Sequence, residues 1–407
     1  MFVKTSTEER GLIPWEPFSR RCFASGQVDP GLKTSEPSTR TIESVRIPGV
    51  YFGIAEPVMT RTHIQIPTLV RIKSGALGRL GIYARRHEID RVVVAHSSGL
   101  PPELLKCLSD GLDAEDVSIL RRRPVPEASF EQARELLSEI PPGTGAVVGF
   151  GGGKALDVAK YIAFLSGLPY LSVPTSLSND GICSPQSSLT LEGRRQSLPS
   201  AMPFGIVIDT QVCLAAPEIL WFSGIGDLVA KLTATFDWKL AFHESGTPVD
   251  DFAALLSDAT VFQFIARPVR DLQGMQLLGT ALMLNGVAMG VCGSSRPASG
   301  SEHLISHALD ALAGPPRLHG LQVGIAAYLV SLLQKQSSET IASLFEKTGF
   351  WRAVEAAPFR RADWREALVR APHIKENYYT VLSSRDCLPE AEKHLRNDPF
   401  LSKCILE

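Results

Sequence analysis

The stretch GFGGGKALDVAK, residues 149–160, sets four glycines at the end of the apolar run GAVVGF and directly before a helical pattern. A turn of this kind lets backbone N–H groups approach an anion with no Cβ in the way, and the following helix N-terminus adds a favourable dipole. A dinucleotide pyrophosphate is held in this manner, and Lys154 stands at the mouth of the helix. The pattern is neither G-x-G-x-x-G nor a P-loop, so by itself it also reads as a tight structural turn. A second chemical group lies in SRPASGSEHLISHALD (295–310), where His303 and His307 are one helical turn apart. Imidazoles at i and i+4 can share one metal ion. Asp227, in SGIGDLVAK, reads on its own as a helix N-cap.

Those groups need elements to carry them, and from about Ile66 strand and helix alternate. LVRIKSGALGRLGIYARR reads as strand, turn and helix; RVVVAHSS as a strand; PPELLKCLSDGL as a helix opened by proline; VSILRRRP as a strand; SFEQARELLSEI as a helix. GAVVGF is a buried strand, KALDVAKYIAFLSG a helix stopped near Gly167, and YLSVPTS and GIVIDT are further strands. Between these last two, SSLTLEGRRQSL predicts a hairpin turning at Glu192-Gly193. Strands separated by helices imply βαβ units and a mostly parallel sheet. After Asp209 every sustained pattern is helical. The expected fold is therefore an α/β N-terminal nucleotide-binding domain with a mostly parallel sheet, over 49–216, followed by an all-α C-terminal domain over 217–407. Residues 1–48, rich in Pro, Ser, Thr, Gly and charge without periodicity, are expected to be an extension with too little apolar surface to order itself.

Bulk properties narrow the function. A formal charge of -2 and a pI near 6.5 give no field to draw the chain to nucleic acid or to an anionic membrane. Seven dispersed cysteines, with no C-x-x-C, argue against a disulfide scaffold and a thiolate zinc site and fit a reducing cytoplasm. No signal peptide is expected, and no later stretch is read as 18 apolar residues free of charge.

GFGGGKALDVAK followed about twenty residues on by VPTSLSNDGICSP resembles the superfamily of glycerol dehydrogenase, dehydroquinate synthase and iron-containing alcohol dehydrogenase. The resemblance implies NAD(H) or NADP(H) as cofactor, with Gly151, Gly152 and Gly153 on the pyrophosphate, Asp157 supporting the loop, and Lys154, Thr175, Ser176 and Ser178 also on the cofactor side. Asp180 is placed near the substrate. Its metal ligands are an acidic residue and then two histidines, the last before a glycine, which implies Asp227, His303 and His319 around a Zn²⁺ or another divalent ion. His307 then becomes a substrate or outer contact. GDLVAKLTATFDWKLA, SRPASGSEHLISH and YYTVL are most similar to sn-glycerol-1-phosphate dehydrogenases, the archaeal enzymes and their bacterial counterparts. That implies reduction of dihydroxyacetone phosphate to sn-glycerol 1-phosphate, with Lys231 as first and Arg296 as second candidate for the phosphate, and a homo-oligomer. Two other readings are a sugar phosphate cyclase using NAD transiently and a non-catalytic nucleotide-binding homologue. The sequence departs from the pattern at His96, Ser97 and Ser98, where an acidic residue often meets the adenosine ribose, and at Leu321-Gln322, where a charged pair is common. Without the carboxylate a 2′-phosphate is not repelled, so NADPH is expected to be accepted as well as NADH.

Overall fold

The apolar β-branched runs of the first half form strands of one sheet. The computed structural model describes residues 65–312 and 317–407, so the expected extension at 1–48 lies outside the described residues. The strands are β1 (Leu69–Lys73), β2 (Arg91–Ser97), β3 (Ser118–Val125), β4 (Ala146–Gly151), β5 (Tyr170–Pro174) and, after a hairpin of β6 (Gln186–Leu191) and β7 (Arg194–Pro199), β8 (Gly205–Asp209). Six of them pair in the order β1-β8-β5-β4-β2-β3, and every pairing is parallel. Alternate residues of a strand face opposite sides. Thus Ala146, Val148 and Phe150 pack into one apolar cluster, with helices α1 (Leu80–Arg85) and α2 (Pro102–Asp113), while Val147 packs into another, with α3 (Phe130–Ser138) and α4 (Gly153–Ser166).

The chain runs from β2 out to β3 at the sheet edge and then back across β2 to β4. The crossovers therefore diverge between the C-terminal ends of β2 and β4, and open α/β sheets bind ligands at such a switch point. The hairpin turns where the sequence predicts, with Glu192 at φ 50 and Gly193 at φ 74. Both values are left-handed, the requirement of a two-residue turn that follows strand twist.

Beyond α5 (Thr210–Ala215), Pro217 opens the long helix α6 (Glu218–Ser245). It is followed by α7 (Asp251–Ile265), α8 (Leu272–Cys292), α9 (Ser301–Asp310) and α10 (His319–Gln334), then by shorter helices up to Cys404. The helical core is continuous with Ile206 and Ile208 of β8 and with Leu177, so the change at 217 is from sheet to helix within one continuous packing. α6 and α8 are long and apolar enough to cross a membrane by length and composition, and α8 carries no charged residue at all, contrary to the sequence expectation. Most of each is buried in the fold, so this apolarity serves a core that surrounds both helices.

Candidate active site

Gly151 has φ 139, a conformation side chains rarely adopt, and a Cβ there would overlap the Ser97 hydroxyl at the end of β2. That hydroxyl accepts the Gly152 N–H at 2.9 Å, and the Gly151 carbonyl accepts the Thr175 N–H at 3.0 Å. The turn is thereby pinned between β2 and β5 at the switch point. No side chain caps α4, and a Cβ on Gly153 would find nothing nearer than Asn179 Nδ2 at 3.7 Å. Bare N–H groups with room above them fit a pyrophosphate. Lys154 is exposed in the first turn of α4; Thr175 and Ser176 are buried just beyond β5, and the Ser178 carbonyl accepts the Ser223 hydroxyl at 2.9 Å. At the position where an acid often meets ribose, Ser97 is instead engaged with the glycine turn.

Asp227 lies well inside α6, which corrects its reading as an N-cap. What brings it to His319 is a close helix crossing: a Cβ on Gly226 would overlap the Gly320 carbonyl, and one on Gly320 would overlap the Ser223 carbonyl. The glycine before the acid and the glycine after the histidine let the α6 and α10 backbones touch. His303, in the first turn of α9, completes the group. Its Nε2 is 3.4 Å and that of His319 3.8 Å from Asp227 Oδ1. Ligand atoms of the three residues all lie within 4.8 Å of one another, the one such cluster among the described residues. The i, i+4 pair His303–His307 is therefore not the grouping that forms. His307 stands alongside, its ring centroid 6.3 Å from that of His303 and 6.0 Å from that of His319.

Partners behind these groups decide which lone pairs are free. Asp227 Oδ2 accepts the Asp180 N–H at 2.8 Å, while Oδ1 is buried with no hydrogen-bond partner among the described residues. His303 Nδ1 is 2.9 Å from Glu302 Oε1; an ionised carboxylate only accepts, so Nδ1 carries the proton and Nε2 is left as the inward atom. Glu302 is itself fully buried and also accepts the Gly300 N–H at 2.5 Å and the Thr233 hydroxyl at 2.8 Å. His319 Nδ1 is 3.2 Å from Ser306 Oγ, whose single proton goes to Gln322 Oε1 at 3.0 Å. Ser306 must then accept from His319 Nδ1, again leaving Nε2 bare.

Three electron-rich atoms thus face one another in a buried space. Alone they repel, and a proton relieves this only in part. Burial acts to lower the His303 imidazole, yet the Asp227 and Glu302 carboxylates outweigh it and push it up to about 9. Burial would raise Asp227, but Lys231 and the two histidines hold it well below the carboxylate range. One carboxylate oxygen and two imidazole nitrogens, each ring oriented by its own partner, fit a divalent cation such as zinc. Burial, with the charge of His303, pushes His319 well down and His307 down to about 3, where Arg195 and Lys375 also contribute. Both are neutral imidazoles near pH 7.

Lys231 is fully buried, and its Nζ donates to Asp180 Oδ2 at 2.9 Å and to the Ala298 carbonyl at 3.1 Å. These two acceptors and its depth turn the ammonium toward Asp180, whereas the sequence reading puts it first for the substrate phosphate. Burial opposes its charge, but Asp180 and Asp227 keep the ammonium above its ordinary value. The Asp180 carboxyl is raised by burial and by Asp227, against the pull of Lys231. Its side chain keeps 15% exposure.

Asp157 forms a second buried pair, with Lys160 Nζ at 3.5 Å. Lys160 Nζ also donates to the Gly181 and Gln186 carbonyls, both at 2.7 Å, and to Ser184 Oγ at 3.2 Å. This ties α4 to the segment that follows Asp180. Sequence reading assigned no role to Lys160, Glu302, Ser306 or Gln322. The available signals were a lysine three residues after an aspartate on an apolar helix, an acid adjoining a histidine, and an amide one helical turn after another.

A family model described as iron-containing alcohol dehydrogenase matches residues 71–217. The glycerol-1-phosphate dehydrogenase (NAD(P)+) of Aeropyrum pernix is 34% identical over 343 residues, covering 82% of this chain and 96% of that protein. Its namesake from Metallosphaera sedula is 33% identical over 330 residues, covering 79% and 93%. Among solved structures, glycerol dehydrogenase from Schizosaccharomyces pombe superposes with a TM-score of 0.68 at 19% identity, over 83% of this chain and 90% of that one. Sulfoacetaldehyde reductase from Bifidobacterium kashiwanohense, in complex with NAD+, gives 0.60 at 15% identity, over 83% and 98%.

Proposed function

Because this chain belongs to the glycerol-1-phosphate dehydrogenase family, within the iron-containing alcohol dehydrogenases, we propose that it reduces dihydroxyacetone phosphate to sn-glycerol 1-phosphate with NADH or NADPH. The observation that carries the reading is the Asp227–His303–His319 cluster beside Asp180. When bound, the reduced nicotinamide supplies a hydride and the divalent metal, zinc in this proposal, a Lewis acid for the ketone oxygen. Asp227 Oδ1 and the Nε2 atoms of His303 and His319 would hold the metal. Glu302 and Ser306 hold the two Nδ1 atoms and so turn both Nε2 atoms inward, and loading would displace the proton that His303 carries. Gly151, Gly152, Gly153 and Lys154 receive the pyrophosphate, and Thr175, Ser176 and Ser178 line the cofactor side. Asp157 with Lys160 holds the loop in place.

Proton handling falls to Asp180 and Lys231. A carboxyl raised by burial takes a proton more readily than an ordinary aspartate, and Lys231 Nζ, hydrogen-bonded to it, sets its position. His307, neutral and next to both metal-binding histidines, is suited to hydrogen-bond a substrate hydroxyl. We also assign the nucleotide domain to 49–216 and the metal- and substrate-binding domain to 217–407. The six cysteines among the described residues are all free, which supports a reducing cytoplasm. Phe252, Leu255 and Phe262, exposed along α7, support burial against a second copy in a homo-oligomer. The product would serve phospholipid metabolism.

The test mixes purified protein, Zn²⁺, dihydroxyacetone phosphate and either reduced cofactor, and follows loss of cofactor absorbance. Oxidation of neither cofactor would remove the substrate assignment.

A further inference from the structure

With Lys231 turned to Asp180, the cation that meets the substrate's anionic end has to come from elsewhere. Arg296 lies in the loop that leads into α9, whose first turn carries His303, and it is only 4% exposed. A buried guanidinium is costly unless its donors are met. Arg296 has one acceptor, the Tyr379 carbonyl, 2.6 Å from Nη1. Its Cζ lies 3.7 Å from the ring centroid of Tyr378, and Lys375 Nζ lies 4.0 Å from the same centroid. Lys375 also donates to Ser295 Oγ at 3.0 Å. Among the described residues neither cation has a carboxylate within salt-bridge distance, so a buried guanidinium and an exposed ammonium share one aromatic ring without a direct anionic partner.

The loop that carries Arg296 is held rigidly. The Pro297 carbonyl accepts from Ser257 Oγ at 2.5 Å, that of Ala298 from Lys231 Nζ at 3.1 Å, and that of Ser299 from the Tyr378 hydroxyl at 2.5 Å. The site is therefore built before any ligand arrives. It is tied to the metal cluster through the chain itself: the same loop runs into α9, whose first turn carries His303, and its Ala298 carbonyl is held by Lys231, one turn of α6 beyond Asp227.

We propose that Arg296 and Lys375, gathered on Tyr378, form an anion subsite that receives the phosphate monoester end of the substrate. This rests on the dehydrogenase reading above for the identity of the substrate, though not for the binding of an anion. A planar guanidinium meets two phosphate oxygens at once, and the nearby ammonium adds a point charge. The subsite would then discriminate dihydroxyacetone phosphate from dihydroxyacetone.

The test compares kcat/KM for those two ketones in the wild-type enzyme and in Arg296→Gln and Lys375→Gln, with NADH affinity as the control for folding. The ratio favouring the phosphorylated ketone is expected to fall on the order of 100-fold in Arg296→Gln, as for loss of one partner of a desolvated charge pair. In parallel, inorganic phosphate is titrated against each zinc-loaded protein by calorimetry, with weaker binding expected in Arg296→Gln. Equal losses on both ketones, or an unchanged ratio, in Arg296→Gln would overturn the proposal. If the wild type reduces neither ketone, the substrate reading fails, and the titration alone then decides: wild-type phosphate binding that persists in Arg296→Gln overturns the subsite, and its loss supports it.

Discussion

Replacing Glu302 by Gln removes one negative charge from behind His303 while leaving the local hydrogen bonds nearly intact. The amide oxygen can still accept from Gly300 N–H and His303 Nδ1, where Glu302 Oε1 now stands at 2.5 and 2.9 Å. The amide nitrogen replaces Oε2 and donates to Thr233 Oγ1, whose proton turns to the Ala230 carbonyl, 3.0 Å away. Folding is therefore preserved, and the change acts on the basicity of one metal ligand. Losing an outer partner of this kind lowers metal affinity about 10- to 100-fold, or about 1.4–2.7 kcal/mol. Competition with a chromophoric chelator measures it directly, without reference to turnover. In the metal-free protein the His303 imidazole also falls from its position near 9, because Glu302 is one of two carboxylates holding it there. Zinc affinity within threefold of wild type, in a variant with unchanged thermal melting, would refute the view that Glu302 tunes the site.

Three further outcomes follow from the same geometry. Metal-free protein should lose stability as pH rises: the folded His303 value near 9 exceeds the ordinary 6.5, so its contribution, about 3 kcal/mol, is complete below pH 6.5 and gone above 9. Urea midpoints in chelator between pH 6 and 9.5 check this, and a flat or rising profile contradicts it. Gly151→Ala would force a Cβ against Ser97 at φ 139 and should weaken NADH binding at least 10-fold, read by fluorescence titration. Lys160→Met leaves Asp157 buried without its cation and frees three acceptors, at a cost of about 3–5 kcal/mol in chemical denaturation; a loss under 1 kcal/mol would show that the pair does not hold the loop.

Much of this protein was legible in its residues because the relevant physics is local. Short continuous apolar runs specified strands, period-3.6 runs specified helices, and Glu192-Gly193 specified a turn with two positive φ values, all from neighbours in the chain. The glycine run and the acid–histidine–histidine order pointed to a cofactor and a metal through family resemblance. Gln322, met first as a departure from that pattern, acquires its part only once α9 brings Ser306 between it and His319.

What the sequence could not decide was which charges pair with which. Lys231 and Arg296 are both basic residues a few positions from a metal ligand in the chain, and nothing in their spacing separates them. Tertiary packing does so: it buries Lys231 between Asp180 and the Ala298 carbonyl and leaves Arg296 on Tyr378 with no acid among the described residues in salt-bridge range. Likewise His303 finds Asp227 and His319 rather than His307, because Gly226 and Gly320 let two helices touch. The reason is general. Backbone preferences act over a few residues, whereas a buried charge is settled by whatever distant groups close packing sets within about 4 Å of it.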